Sequence, residues 1–146
     1  ERIPWGMLVL FGAGISIATA FTASGLSETI GAALSGVAHL HLLLIMLIIC
    51  LTVTFLTETT SNTATTTLLM PILAAGAMGA GLDPKIVMIP AAMSASCAFM
   101  LPVATAPNVI MFSTGRFSIE TMAREGFALN LIGAGVISLG CYVLLT

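Results

Sequence analysis

Charge is what this chain has least of. Six acidic and four basic side chains stand among 146 residues, 7% of the whole, where a soluble domain carries about 25%. That shortage excludes a water-facing surface over most of the protein. A net charge of −2, with no basic patch and no interleaved aromatics, excludes nucleic acid as a partner. Cysteine is sparse: Cys50, Cys97 and Cys141 are spread through apolar runs. That pattern lacks a metal-ligand spacing and reads as small buried hydrophobes. No nucleophile–base pair is evident, so the chain is not read as an enzyme. No cleavage-type segment follows the opening ERIPW, and that abrupt opening predicts an excerpt of a longer protein.

Apolar residues are what the chain has in abundance. It is 58% hydrophobic with a mean hydropathy of +1.14, which predicts an all-α membrane protein. Residues 5–22 read as a transmembrane helix of roughly 27 Å at 1.5 Å per residue, with Trp5 at the interface and glycines for close packing. Residues 25–38 are small, mildly polar and amphipathic, which predicts an interfacial helix rather than a span. Residues 39–80 are strongly apolar on either side of a polar centre, which predicts a re-entrant helical hairpin with its tip at 57–63. Residues 86–115 read as a broken transmembrane helix, with the break at 102–108 marked by Pro102 and Pro107. Arg116, Glu120, Arg124 and Glu125 belong in water, and 126–145 form the last transmembrane helix. If the hairpin opens to one side, Arg2, Arg116 and Arg124 share one face of the membrane and Lys85 the other. The positive-inside rule then places the hairpin mouth and the C-terminus outside.

Polarity is concentrated in the two breaks, LTETTSNTATTTL at 56–68 and PVATAPN at 102–108. Backbone that leaves a helix at membrane depth must be satisfied by protein, ions or water. The first break offers Thr57, Glu58, Thr59, Thr60, Ser61, Asn62 and Thr63. The second offers Thr105 and Asn108, with the carbonyls of Val103 and Ala104. Neutral hard oxygens suit an alkali cation, and hydroxyls and amides also hold carboxylate oxygens. Neither apolar segment contains Lys or Arg, so a bound anion is compensated by helix N-termini and co-bound cations. The combination predicts a cation-coupled anion carrier. Single threonines have a plainer role, bonding back to the i−4 carbonyl or joining helices, and Thr65, Thr66 and Thr67 are read that way. Glu58 stays open between proton carrier, ion ligand and a carboxyl bonded to tip hydroxyls. His39 and His41 are read as structural residues at the interface. A membrane assembly module that transports nothing, its polar tips only packing helices, is the alternative from another class.

TETTSNTATTTLLMP, followed by SASCAFMLPVATAPNVIMF, resembles the divalent anion/sodium symporter family. The similarity extends to WGMLVLFGAGIS near the start. The resemblance implies a sodium-coupled symporter of dicarboxylates of the succinate, malate and fumarate class, with Na+ as coupling ion. An anion exchanger or a sulfate or citrate carrier of the same fold is the alternative. It implies half of an inverted-repeat elevator transporter, here the C-terminal repeat, partnered by an N-terminal repeat, working as a homodimer and multi-pass in the inner or plasma membrane. Ser61, Asn62, Thr63 and Thr105 are the implied substrate contacts. Thr57, Thr60, Asn62 and Ala104 are the implied sodium ligands, with Glu58, Pro107 and Asn108 in support. Where many members have two prolines after the Ala-Thr pair, this chain has Ala106-Pro107, which implies a more flexible turn. Residues 25–38 would be the arm joining scaffold to moving domain.

Overall fold

A computed structural model describes residues 5–26, 29 and 41–146. The described residues form six helices and no strand: α1 (Trp5–Ala23), α2 (Leu42–Thr57), α3 (Asn62–Gly79), α4 (Pro84–Ser94), α5 (Ala106–Ser113) and α6 (Ile119–Leu145). The interfacial helix expected at 25–38 lies almost wholly outside the described residues.

Helix ends follow local chemistry. The GLDPK stretch closes α3 and opens α4 in five residues. Gly81 takes φ +72°, open to glycine without a Cβ penalty. Its N–H bonds to Met78 O at 3.1 Å and Leu82 N–H bonds to Ala77 O at 2.9 Å, the paired closure of a Schellman end. Asp83 then caps α4, accepting from Lys85 N–H at 3.0 Å, and Pro84 takes the first helical position, where no N–H is needed. Ser118 caps α6 in the same way, through Thr121 N–H at 3.1 Å.

The last helix begins at Ile119, earlier than the expected 126, because Ser118 supplies a cap and Glu120 suits the positive end of the dipole. Its Arg124 and Glu125 pair at 2.9 Å on an exposed face. Among the described residues, α6 is the helix long and apolar enough to cross a membrane by length and composition. At 16 residues, α2 reaches only roughly 24 Å.

Buried positions hold polar as well as apolar side chains. The buried polar residues include Thr54, Thr57, Glu58, Ser94, Asn130 and Ser138. Ile132, Val136, Leu139 and Val143 on α6 stand exposed. Apolar side chains facing outward with polar groups satisfied inside fit hydrocarbon as the solvent. Gly126, Asn130, Ala134, Ile137 and Cys141 form one buried stripe along α6, and α2 lays Met46 and Cys50 against it. Helix α4 packs on both α2 and α3, each of which touches it more extensively than they touch each other. Val53, Ala91 and Ala95 form the core of that contact.

Helix α1 meets the rest through α3. A Cβ built on Gly14 would lie 3.1 Å from Thr67 O and 3.2 Å from Thr67 Cγ2. Pro71 has no N–H to offer that Thr67 carbonyl, four residues back. Gly14→Val is therefore expected to separate α1 from α3 and lower stability by about 1–3 kcal/mol. Gly12→Val, at a position with open space, is the control. Thermal unfolding in detergent reads the difference, and equal melting of the two variants contradicts the seam.

Candidate functional site

The tip between α2 and α3 is four residues long. Glu58 ends α2, and Ser61 caps α3 with its hydroxyl accepting from Ala64 N–H at 3.0 Å. The second break leaves the helix at Ala95 and runs to Thr105, so it begins earlier than the expected 102. The prolines do not start it. Pro107 sits in the first turn of α5, where its missing N–H costs nothing. Thr105 is the cap of α5, accepting from Asn108 N–H at 3.4 Å.

Partner exchange with the tip accounts for the early break. Continuing α4 would require the N–H groups of Phe99, Met100 and Leu101 to bond back to the carbonyls four residues earlier. Glu58 takes all three instead. Its Oε1 accepts from Phe99 N–H at 2.7 Å and Met100 N–H at 2.9 Å, and its Oε2 from Leu101 N–H at 2.9 Å. Thr57 Oγ1 lies 2.9 Å from Ala95 O, the carbonyl thereby released. Asn108 Nδ2 donates to Ala98 O and Leu101 O, both at 3.0 Å. The unwound segment is thus held by the tip on its donor side and by α5 on its acceptor side.

This overturns one of the readings kept open for Glu58. Its carboxylate is bonded to the backbone of the other break, not to tip hydroxyls. It is 3% exposed, and its partners are all donors, matching an acceptor-only carboxylate. The fourth donor is Asn130 Nδ2 on α6, 2.7 Å from Oε1. Asn130 Oδ1 also lies 3.3 Å from Phe99 N–H. Sequence reasoning missed Asn130. Its signal was a lone amide in the apolar run FALNLIGAGV.

Beside Asn130, α6 approaches the break closely. A Cβ on Gly126 would lie 2.3 Å from Phe99 O and 2.6 Å from Met100 Cα. One turn beyond Thr54, whose hydroxyl reaches Ser94 O at 3.5 Å, Thr57 completes a polar edge of α2 facing the end of α4.

The two breaks adjoin at a cavity of about 190 Å³ lined by Glu58, Thr59, Thr60, Ser61, Val103 and Ala104. Of the predicted residues, Glu58, Thr60, Ser61 and Ala104 line it; Thr57, Asn62, Thr63, Thr105, Pro107 and Asn108 do not. Thr60 Oγ1 is 2.5 Å from Thr65 Oγ1 and 3.0 Å from Leu56 O, so it is engaged within the tip. Thr63 is exposed. Thr66 bonds back to Asn62 O at 2.8 Å, the i−4 bond open to any threonine in a helix. Below the tip, Thr57 Oγ1, Asn62 Oδ1 and Ala95 O form a tight oxygen cluster, with Thr57 2.7 Å from Asn62 and 2.9 Å from Ala95. One hydroxyl proton cannot serve two acceptors, so the cluster has lone pairs to spare. A larger groove of about 300 Å³, mostly apolar, lies between the second break, α5 and α6, along Phe99, Met111, Phe117, Met122 and Leu129.

These features describe a helical membrane protein whose polar groups converge on two facing helix breaks, the class to which secondary transporters with discontinuous helices belong. The chain belongs to the divalent anion/sodium symporter family: residues 1–143 match the family described as the sodium:sulfate symporter transmembrane region. It is 47% identical over 144 residues, 99% of its length, to the sodium-dependent dicarboxylate transporter SdcS of Staphylococcus saprophyticus. It is 46% identical over 145 residues to the SdcS of Staphylococcus aureus strain MRSA252, and 46% over 142 residues to that of strain USA300. The chain spans about 28% of the length of the first two of these relatives and 27% of the third. The matched relatives are transporters, as the lack of enzyme chemistry in the sequence leads one to expect.

Proposed function

We propose that this chain forms one half of the binding site of a sodium-coupled dicarboxylate symporter. The observation that carries this reading is the meeting of the two breaks. It gathers Thr59, Thr60 and Ser61 of the tip, the Glu58 carboxylate and the Val103–Ala104 backbone around a small cavity with no Lys or Arg among its lining residues. The surplus lone pairs of Thr57, Asn62 and Ala95 suit a sodium ion. A cation there would hold the Asn62 amide with its oxygen inward. Thr60 and Ala104, the other proposed sodium ligands, stand on the cavity wall above.

For the substrate, the N-termini of α3 and α5 present the positive ends of their dipoles. Ser61, Asn62, Thr63 and Thr105 are the proposed contacts to a succinate-class carboxylate. Because Ser61 and Thr105 cap these two helices, a carboxylate reaching them also meets the helix ends. The remaining wall would come from the N-terminal repeat. On this reading the tip is re-entrant, the half-site rides an elevator-type movement, and the protein is a multi-pass homodimer of the plasma membrane. The relatives named sodium-dependent dicarboxylate transporter support the substrate and the ion. Sulfate is the second reading, favoured by the description of the matching family.

The test is uptake of labelled succinate into proteoliposomes holding the full-length protein. An inward sodium gradient is expected to drive uptake and a potassium gradient not. Asn62→Ala is expected to reduce uptake at least tenfold without changing the amount of folded protein. Equal uptake in potassium contradicts sodium coupling, and competition by sulfate but not succinate moves the substrate to the second reading.

A further inference from the structure

The last helix takes no part in the family motifs on which the site was read, yet it sends one amide into the middle of them. Asn130 is fully buried, and both ends of its side chain are engaged. Its nitrogen donates to Glu58 Oε1 at 2.7 Å, and its oxygen lies 3.3 Å from the Phe99 N–H that Glu58 also binds. Asn130 therefore orients a carboxylate whose other three donors belong to the unwound backbone at 99–101. Two residues beyond Leu101 the same strand of backbone becomes the cavity wall at Val103 and Ala104. Asn108 grips the carbonyls on its other side, so the segment's path is fixed by two amides and one carboxylate.

We propose that Asn130 is a positioning residue for the ion and substrate site. It touches neither cavity nor the oxygen cluster. It acts by holding the Glu58 carboxylate in the one orientation that accepts all three amides, which sets where Ala104 and Thr105 lie relative to the tip. The proposal rests on the transport reading for its functional consequence and on the geometry alone for its structural one.

A substitution that keeps size and removes the donor separates the two. Asn130→Asp places a second carboxylate oxygen against Glu58, in a site with no cation among their hydrogen-bond partners. One prediction concerns binding. In proteoliposomes of the full-length protein, Asn130→Asp is expected to raise the half-saturating sodium concentration and the succinate KM at least tenfold, after correction for the amount of folded protein. Glu58→Gln combined with Asn130→Asp returns one donor and one charge to the pair and is expected to recover part of that loss, less than additively with the single variants. A residue serving only to pack α6 would lower the amount of folded protein and leave both concentrations unchanged.

A second readout needs no ligand. Amide hydrogen exchange at Phe99, Met100 and Leu101 in the purified protein is expected to quicken at least tenfold in Asn130→Asp, with exchange in α1 unchanged. Unchanged exchange at those three amides, or wild-type sodium and succinate concentrations in a well-folded Asn130→Asp, overturns the proposal. If the wild type carries no succinate at all, the transport reading falls, and the exchange experiment still decides whether Asn130 positions the break. Asn130→Ala gives the same exchange readout should the aspartate variant not fold.

Discussion

Glu58→Ala is expected to be among the most damaging single substitutions in this chain. The Met100 and Leu101 N–H groups and the Asn130 amide lose their acceptor together, and Phe99 N–H keeps only Asn130 Oδ1 at 3.3 Å. Each buried donor left unpaired costs about 1–3 kcal/mol, so the loss reaches about 3 kcal/mol or more unless water enters the gap. The alternative outcome available to the protein is to rewind the break, returning the 99–101 amides to the carbonyls at 95–97. That would withdraw Ala95 O from the oxygen cluster and shift Val103 and Ala104 from the cavity. Either route removes the site. Glu58→Gln is expected to be milder, since one oxygen still accepts, but its amide nitrogen faces donors and one of the three backbone bonds is lost. Thermal unfolding in detergent, with the folded fraction read by size-exclusion chromatography, ranks the three proteins. The expected order of stability is wild type, Glu58→Gln, Glu58→Ala. An alanine variant melting with wild type shows that the carboxylate does not hold the break.

Gly126→Ala is the second large effect. The added Cβ would stand 2.3 Å from the Phe99 carbonyl oxygen and 2.5 Å from its carbon. Both neighbours are backbone, so no side-chain rotation relieves the clash. Overpacking of this sort costs about 1–3 kcal/mol and occasionally more, and here the helix must move as a body. Moving α6 outward also stretches the Asn130–Glu58 bond one turn further along. Gly135→Ala and Gly140→Ala meet nothing within 4 Å and serve as matched controls on the same helix. They are expected to stay within about 1 kcal/mol of the parent, the range of helix propensity. Denaturant or thermal titration of the three variants checks it. If Gly126→Ala melts with its controls, the close contact between α6 and the break is not there.

Both predictions rest on one structural device, the partner exchange between the breaks. A helix normally ends where its own sequence stops it, by a cap or a proline. Helix α4 ends because residues forty positions earlier compete for its hydrogen bonds. The prolines nearby are placed for other purposes: Pro107 for the restart of α5, and Pro90 within α4, where its carbonyl faces the Cys50 thiol at 3.9 Å. The same device explains why the tip carries its single acid. A carboxylate offers up to four acceptor positions, and the unwound segment has three consecutive amides that cannot be left bare in a low-dielectric interior.

The sequence by itself determined the environment and the locations. Ten charged side chains cannot clothe a soluble surface, so hydrocarbon as solvent was legible from composition. Where polarity interrupts long apolar runs, backbone must be satisfied within the protein, so TETTSNTATTT and ATAPN could be read as places where the chain leaves its helices before any fold was known. The caps at Ser61, Asp83 and Ser118 and the GLDPK turn act through neighbours only a few residues away. Tertiary structure alone decided how the two places are joined. That Glu58 serves the amides at 99–101, that Thr57 takes the Ala95 carbonyl, and that Asn130 completes the set depend on contacts spanning 38 to 72 positions. No periodicity encodes such pairs, because a hydrogen bond between distant segments needs only that packing bring one donor to one acceptor. The early start of the break has the same cause: the residues that end α4 are not in α4.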